Sequence, residues 1–137
     1  PVKGETLLVR IPGLEFKNMV HRRVFILPLG DDVYRIGSTF DWTNVWTGRT
    51  VEAREELLGM LRAFVKLPIE VLEHSSGVRP ATKDRRPILG RTGRYEAIFN
   101  GLGSRGVLLA PWCAMHLAEH LFEGKEIDPE VSFDRFS

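Results

Sequence analysis

Ala53, Leu57, Met60, Leu61, Phe64 and Val65 recur at steps of three and four residues, and nothing else in the chain restricts its fold so tightly. That spacing lines one face of an α-helix and of no other regular element. Thr50 is placed to cap the start, Glu52 stands in the first turn where it suits the positive end of the peptide dipole, and Pro68 forbids continuation. A single apolar face needs a surface to cover. Ahead of it lie three extended stretches: residues 5–11, ended by Pro12 and Gly13; residues 20–29, ended by Pro28 and Gly30; and Val33, Tyr34, Ile36 and Ser38, entered through an Asp31-Asp32 turn. Strands joined so tightly pair antiparallel, so this helix is expected to be scaffold lying on an antiparallel sheet.

Beyond Pro68, residues 69–74 have the composition of a strand leading into Ser75, Ser76 and Gly77, and residues 96–100 resemble another. Between them Pro80, Pro87, Gly90 and Gly93 punctuate a long basic loop, of the kind that is usually functional when it is ordered. Residues 108–122 form the second helical pattern, with Leu108, Trp112, Met115, Ala118 and Phe122 on its apolar stripe. Pro111 places the helix start near Ala110 or else makes the first turn irregular. The class expected is α+β: a mainly antiparallel (mixed) sheet covered by helices. A length of 137 residues predicts one compact unit with a real core.

With 43% apolar and 27% charged residues the chain is of ordinary globular composition, and no apolar run approaches the roughly 20 residues needed to span a bilayer. No membrane partner is expected. A net charge of +1 advertises no polyanionic partner, but its distribution is uneven. Arg79, Lys83, Arg85, Arg86, Arg91 and Arg94 face only Asp84, whereas Glu119, Glu123, Glu126, Asp128, Glu130 and Asp134 outnumber Lys125 and Arg135. The basic stretch reads as an anion-binding rim or, more simply, as a solvated face. One cysteine, Cys113, excludes an internal disulfide and a cysteine-based zinc site; nothing after Pro1 resembles a signal peptide, and a cytoplasmic location is expected.

The segment Asn100-Gly101-Leu102-Gly103-Ser104-Arg105-Gly106 follows a strand and precedes a helix. Its glycines allow positive φ and a close approach of backbone to a flat or charged ligand, while the helix start offers unpaired N–H groups and positive dipole. It is neither a G-x-G-x-x-G nor a G-x-x-x-x-G-K-[ST] motif, and a plain tight turn competes with binding. His116-Leu117-Ala118-Glu119-His120 matches the H-x-x-E-H pattern of a zinc peptidase. Yet His116, Glu119, His120 and Glu123 also make the wet stripe of an amphipathic helix, and catalytic zinc wants a third protein ligand; no metal is expected. Arg79 is held extended by Pro80, and a rigidly presented guanidinium matches a carboxylate through two parallel hydrogen bonds. A surface ion pair is its plainer reading. Cys113 reads as a small core residue, and Trp42, Trp46 and Trp112 as packing or stacking groups.

Taken in order, Lys3-Gly4-Glu5, Ile36-Gly37-Ser38-Thr39, the G-x-R-P-x-T-x-D-x-x-P-x-x-G run from Gly77 to Gly90, and Gly101-Leu102-Gly103-Ser104-Arg105-Gly106-Val107-Leu108-Leu109-Ala110-Pro111 resemble the carboxy-terminal half of the D-amino-acid oxidase and glycine oxidase superfamily. The resemblance implies a substrate-binding domain over residues 1–78 and a segment over 79–137 that returns to FAD, with the dinucleotide-binding amino-terminal half missing. By similarity Arg79 grips the substrate carboxylate, Ser104 and Arg105 stand at the substrate, and Gly101, Leu102, Gly103, Ser104, Arg105, Gly106, Val107 and Leu108 lie about the isoalloxazine. The family oxidises a C–N bond by hydride transfer to flavin, after which the imine is hydrolysed. The protein chiefly orients substrate and tunes the ring, so no catalytic acid, base or nucleophile is expected here. Some relatives attach flavin through a cysteine after the motif proline, where this chain has Ile88, Leu89 and Gly90, so non-covalent FAD is implied.

Glycine oxidase-like members carry a second substrate arginine at the position of Ser104, whereas here the arginine is Arg105. That variant resembles instead the flavin domain of the bifunctional enzyme that modifies the tRNA wobble uridine, acting on a carboxymethylaminomethyl amine. The expected function is therefore FAD-dependent oxidation of an amino acid or secondary amine. The alternatives are action on modified tRNA, with the basic loop on phosphates, and a non-enzymatic binding module. The chain alone, lacking the ADP-binding half, is expected to hold no FAD and to turn nothing over.

Overall fold

The structure is a computed structural model that describes residues 1–136. Length alone predicts one compact unit; the described residues gather instead into two, Val2–Val78 and, with Pro1, the chain from Arg79 onward, each with its own apolar core.

In the first unit β1 (Val2–Arg10), β2 (Val20–His21), β3 (Phe25–Gly30), β4 (Val33–Gly37) and β5 (Glu70–Arg79) form a sheet in the order β2-β3-β4-β1-β5. The pairs β1/β4, β2/β3 and β3/β4 are antiparallel. Asp31 and Asp32 close the β3–β4 hairpin with φ of 51° and 58°, the left-handed pair that a two-residue turn needs to follow strand twist. The single strand expected over 20–29 is two strands, because Arg22 and Arg23 turn outward and the Arg22 amide bonds to the Val24 carbonyl. Helix α1 (Val51–Arg62) starts where expected: Thr50 Oγ accepts the Ala53 amide. Its Leu57, Leu58 and Leu61 lie with Leu7, Val9, Ile26 and Ile36 in one core, at about 1.5 to 3 kcal/mol per buried side chain.

The second unit holds the hairpin β6 (Ile88–Arg91) and β7 (Ala97–Asn100), a 3-10 turn over Gly103–Arg105, helix α2 (Gly106–Ala118), a π-turn over Glu119–Glu123 and a final 3-10 turn over Phe133–Phe136. The stretch expected as one long loop thus contains a strand. Pro87 and Gly90 hide it in the sequence, and Gly90, at φ +147° with Phe133 Cβ 3.3 Å from where a side chain would begin, is the glycine that its geometry requires.

Helix α2 begins at Gly106, five residues ahead of Pro111, so Pro111 lies inside it and cannot donate to the Val107 carbonyl. Its orientation also reverses the expectation. Leu109, Cys113 and Leu117 pack with Leu89, Val131 and Leu102, while Leu108, Trp112, Met115 and Phe122 are 76%, 44%, 58% and 87% exposed. Thus the α+β class holds, with α1 lying on the five-stranded sheet and α2 packing in the second core.

Candidate functional site

Two backbone segments are stitched together in the second unit. Ala81 bridges Leu102 in antiparallel fashion, and the Gly103 amide donates to the Pro80 carbonyl at 3.0 Å. The chain just after Arg79 is thereby bonded to the glycine loop by main chain alone. Gly101 is left-handed at φ +73°, and a Cβ there would lie 2.9 Å from Thr82 Cγ2, 3.2 Å from the Arg86 carbonyl oxygen and 3.2 Å from Ile88 Cγ1. Only glycine lets the loop descend so far onto its neighbour. Gly103 is also left-handed, at φ +56°, but its Cβ would meet nothing closer than Ala81 at 3.8 Å.

The loop beneath is cross-braced. Thr82 Oγ1 donates to the Arg86 carbonyl at 2.7 Å, and the Arg86 amide donates to Asp84 at 3.2 Å. Arg85, left-handed at φ +59°, turns its carbonyl to accept Arg105 Nη2 at 2.7 Å. Arg135 reaches Asp84 at 2.9 Å, and this charged hydrogen bond holds the Asp84 carboxyl well below the usual carboxylate range. No pattern in the sequence singles out Arg135 or Arg86 for this bracing. Thr82 and Asp84 are visible as motif members, but the arginine that ties Asp84 down lies about fifty residues on.

Among the residues expected at the site, Arg79 ends β5, is half-buried, and has its guanidinium pulled below its ordinary pKa by burial. Gly101 is buried, Leu102, Gly103 and Gly106 are half-buried, and Ser104 and Arg105 are exposed. Val107 is 98% exposed and Leu108 76%. No side chain caps the start of α2, which follows directly on the 3-10 turn and begins beside this exposed apolar pair. Arg105 commits one donor to Arg85, leaving the rest of its fork for other use.

The other constellations have structural employment. His116 Nε2 accepts the Asp128 amide at 2.9 Å, His120 Nδ1 lies 2.7 Å from the Lys125 carbonyl, and Glu119 pairs with Lys125 at 2.9 Å. The H-x-x-E-H stripe therefore anchors the turn that follows, and it is half-buried at both histidines instead of wet. Among the described residues no three metal-binding side chains are grouped to hold an ion. Cys113 is fully buried, and burial pushes its thiol up. Trp42 and Trp46, at 56% and 79% exposure, are not core residues. No helix among the described residues is long and apolar enough to cross a membrane.

Residues 1–120 match a family described as FAD dependent oxidoreductase. The bifunctional protein ThiO/ThiG of Trichormus variabilis is 33% identical over the whole chain, which covers 22% of that protein. A tRNA 5-methylaminomethyl-2-thiouridine biosynthesis bifunctional protein from Maricaulis maris is 50% identical over 48 residues, 35% of this chain and 8% of that protein. The crystal structure of iminodiacetate oxidase from Chelativorans sp. BNC1 superposes with a TM-score of 0.80 at 26% identity, covering all of this chain and 39% of that one. The chain spans about a fifth of the length of the first curated relatives it matches. The residues about the loop suit an FAD ring: uncapped helix amides for an electron-rich edge, exposed aliphatic side chains for a flat apolar face, and a glycine with no side chain in the way. By sequence match and by fold, the chain belongs to the FAD-dependent oxidoreductase family typified by D-amino-acid oxidase and glycine oxidase.

Proposed function

We propose that this chain is the substrate-side part of an enzyme that oxidises the C–N bond of an amino acid or secondary amine. The observation that carries the reading is the main-chain stitch joining Pro80-Ala81 to Leu102-Gly103. It bonds the backbone just after Arg79 to the loop that leads into α2, which supports reading Arg79 as the substrate anchor and the start of α2 as the part that faces the ring. FAD, when bound, supplies the two-electron acceptor for the oxidation. Arg79 would hold the substrate carboxylate by a bidentate pair, and partial burial strengthens that pair by limiting competition from water. The amides from Gly106 onward would face the ring, where their dipole favours negative charge. Val107 and Leu108 would exclude water from its apolar face.

In the intact protein, Arg79→Ala should raise KM for carboxylate-bearing amines by roughly 10- to 100-fold while leaving the flavin absorption spectrum in place. Unchanged KM for such substrates would remove Arg79 from the site.

A second reading, favoured by the likeness to the Maricaulis protein, keeps the cofactor and makes the substrate a modified tRNA. Lys83, Arg85, Arg86, Arg91 and Arg94 are all exposed and could meet phosphates. Binding would then weaken steeply with salt, and salt-insensitive or undetectable tRNA binding would reject it.

A further inference from the structure

Arg135 lies beyond the stretch that matches the family, in the last 3-10 turn, yet its side chain is only 14% exposed. Its guanidinium makes four hydrogen bonds: Nε to Asp84 Oδ2 at 2.9 Å, Nη2 to Asp84 Oδ1 at 3.4 Å, Nη2 to the Arg86 carbonyl at 3.1 Å, and Nη1 to the Ser132 carbonyl at 2.8 Å. The group also sits 4.4 Å over the Phe136 ring, and Phe133 in the same turn packs on the position of Gly90. The Arg86 carbonyl it holds is the same oxygen that Thr82 bonds and that would meet a Cβ on Gly101 at 3.2 Å. Arg135 therefore grips the floor on which the glycine loop rests.

We propose that Arg135 is a positioning residue for the ring-facing loop: it acts through Asp84 and the Arg86 carbonyl to set the height of Gly101 and, through it, of the start of α2. A forked donor is required, because two acceptors on one loop and one on the tail are satisfied from a single planar group. Lysine retains the charge but not that geometry. The inference rests on the functional reading above for what the loop faces, and on the hydrogen bonds alone for what Arg135 holds.

The test is made in the intact protein, comparing wild type with Arg135→Ala, Arg135→Lys and Asp84→Asn. Amide hydrogen exchange by mass spectrometry should speed up about tenfold or more in peptides covering 80–90 and 99–107 in Arg135→Ala, with peptides covering 51–62 unchanged. The flavin absorption band should shift and kcat should fall about tenfold with KM for the amine little changed, since the loop and not the carboxylate grip is displaced. Arg135→Lys should restore only part of either signal. If Arg135→Ala does not fold, Asp84→Asn removes the charge from the same contact and must show the same local exchange and the same spectral shift. Unchanged exchange in 80–90 and 99–107 in a flavin-loaded protein overturns the clamp and leaves the functional reading standing, and so does faster exchange with an unmoved spectrum and kcat. A protein that never takes up FAD overturns both.

Discussion

A methyl group added at Gly101 would stand 2.9 Å from Thr82 Cγ2 and 3.2 Å from a carbonyl oxygen that two other groups already bind, with φ at +73°. Added at Gly103, it would meet only Ala81 at 3.8 Å, with φ at +56°. Both substitutions incur the left-handed penalty of about 1 to 2 kcal/mol, but only the first also overpacks, at about 1 to 3 kcal/mol more. Thermal or urea unfolding of Gly101→Ala and Gly103→Ala should therefore rank Gly101→Ala as clearly the less stable. Equal losses would mean that backbone conformation, and not the close approach, sets the need for glycine. The same two positions show how far sequence reading reached. A glycine-rich turn between strand and helix was legible, yet which glycine is pressed on what was not, because the answer lies in Thr82 and Arg86.

Strand β1 buries charge. Lys3 Nζ lies 3.1 Å from Glu5 Oε1 and bonds Thr47 and the Gly48 carbonyl; Glu5 takes the Thr50 amide and hydroxyl at 2.9 Å each and has His74 Nε2 at 2.7 Å. Burial alone would push the Glu5 carboxyl up, but the Thr50 amide, the Lys3 ammonium and the Thr50 hydroxyl outweigh it and hold the pKa below its ordinary value. The cluster pins the capped end of α1 to the sheet. Lys3→Met should cost about 3 to 5 kcal/mol by stranding a buried carboxylate, and Lys3→Met with Glu5→Gln should recover much of that. Urea midpoints of the single and double variants check it; a double variant no better than the single would show that the pair is not coupled. This cluster also explains a boundary. Expected from Glu5, β1 begins at Val2, because charged residues read as solvent-facing until their partners are known. Likewise α1 is legible from its cap, period and terminal proline, whereas for α2 the spacing predicts the face that turns out to be exposed. Leu109, Cys113 and Leu117 form a second apolar stripe beside Leu108, Trp112 and Met115, and periodicity cannot choose between two stripes.

For the molecule as a whole, the expectation of a partial flavoprotein turns on coverage: 22% of the bifunctional relative and 39% of the iminodiacetate oxidase chain. We predict that the 137-residue chain, purified alone, carries far less than one equivalent of FAD and has no amine-dependent flavin reduction. Absorbance near the flavin band after desalting measures it directly, and a tight equimolar complex would show that the second unit suffices to hold the cofactor. The stitch between the two segments has a consequence for substitution in the loop. The Gly103–Pro80 bond and the Ala81–Leu102 bridge are made of main chain, so they do not depend on which side chain stands at position 104, where Ser104 is exposed. Frame and lettering are separate there: a library of side chains at position 104 should leave the main-chain frame in place, read as an unchanged urea midpoint across its members.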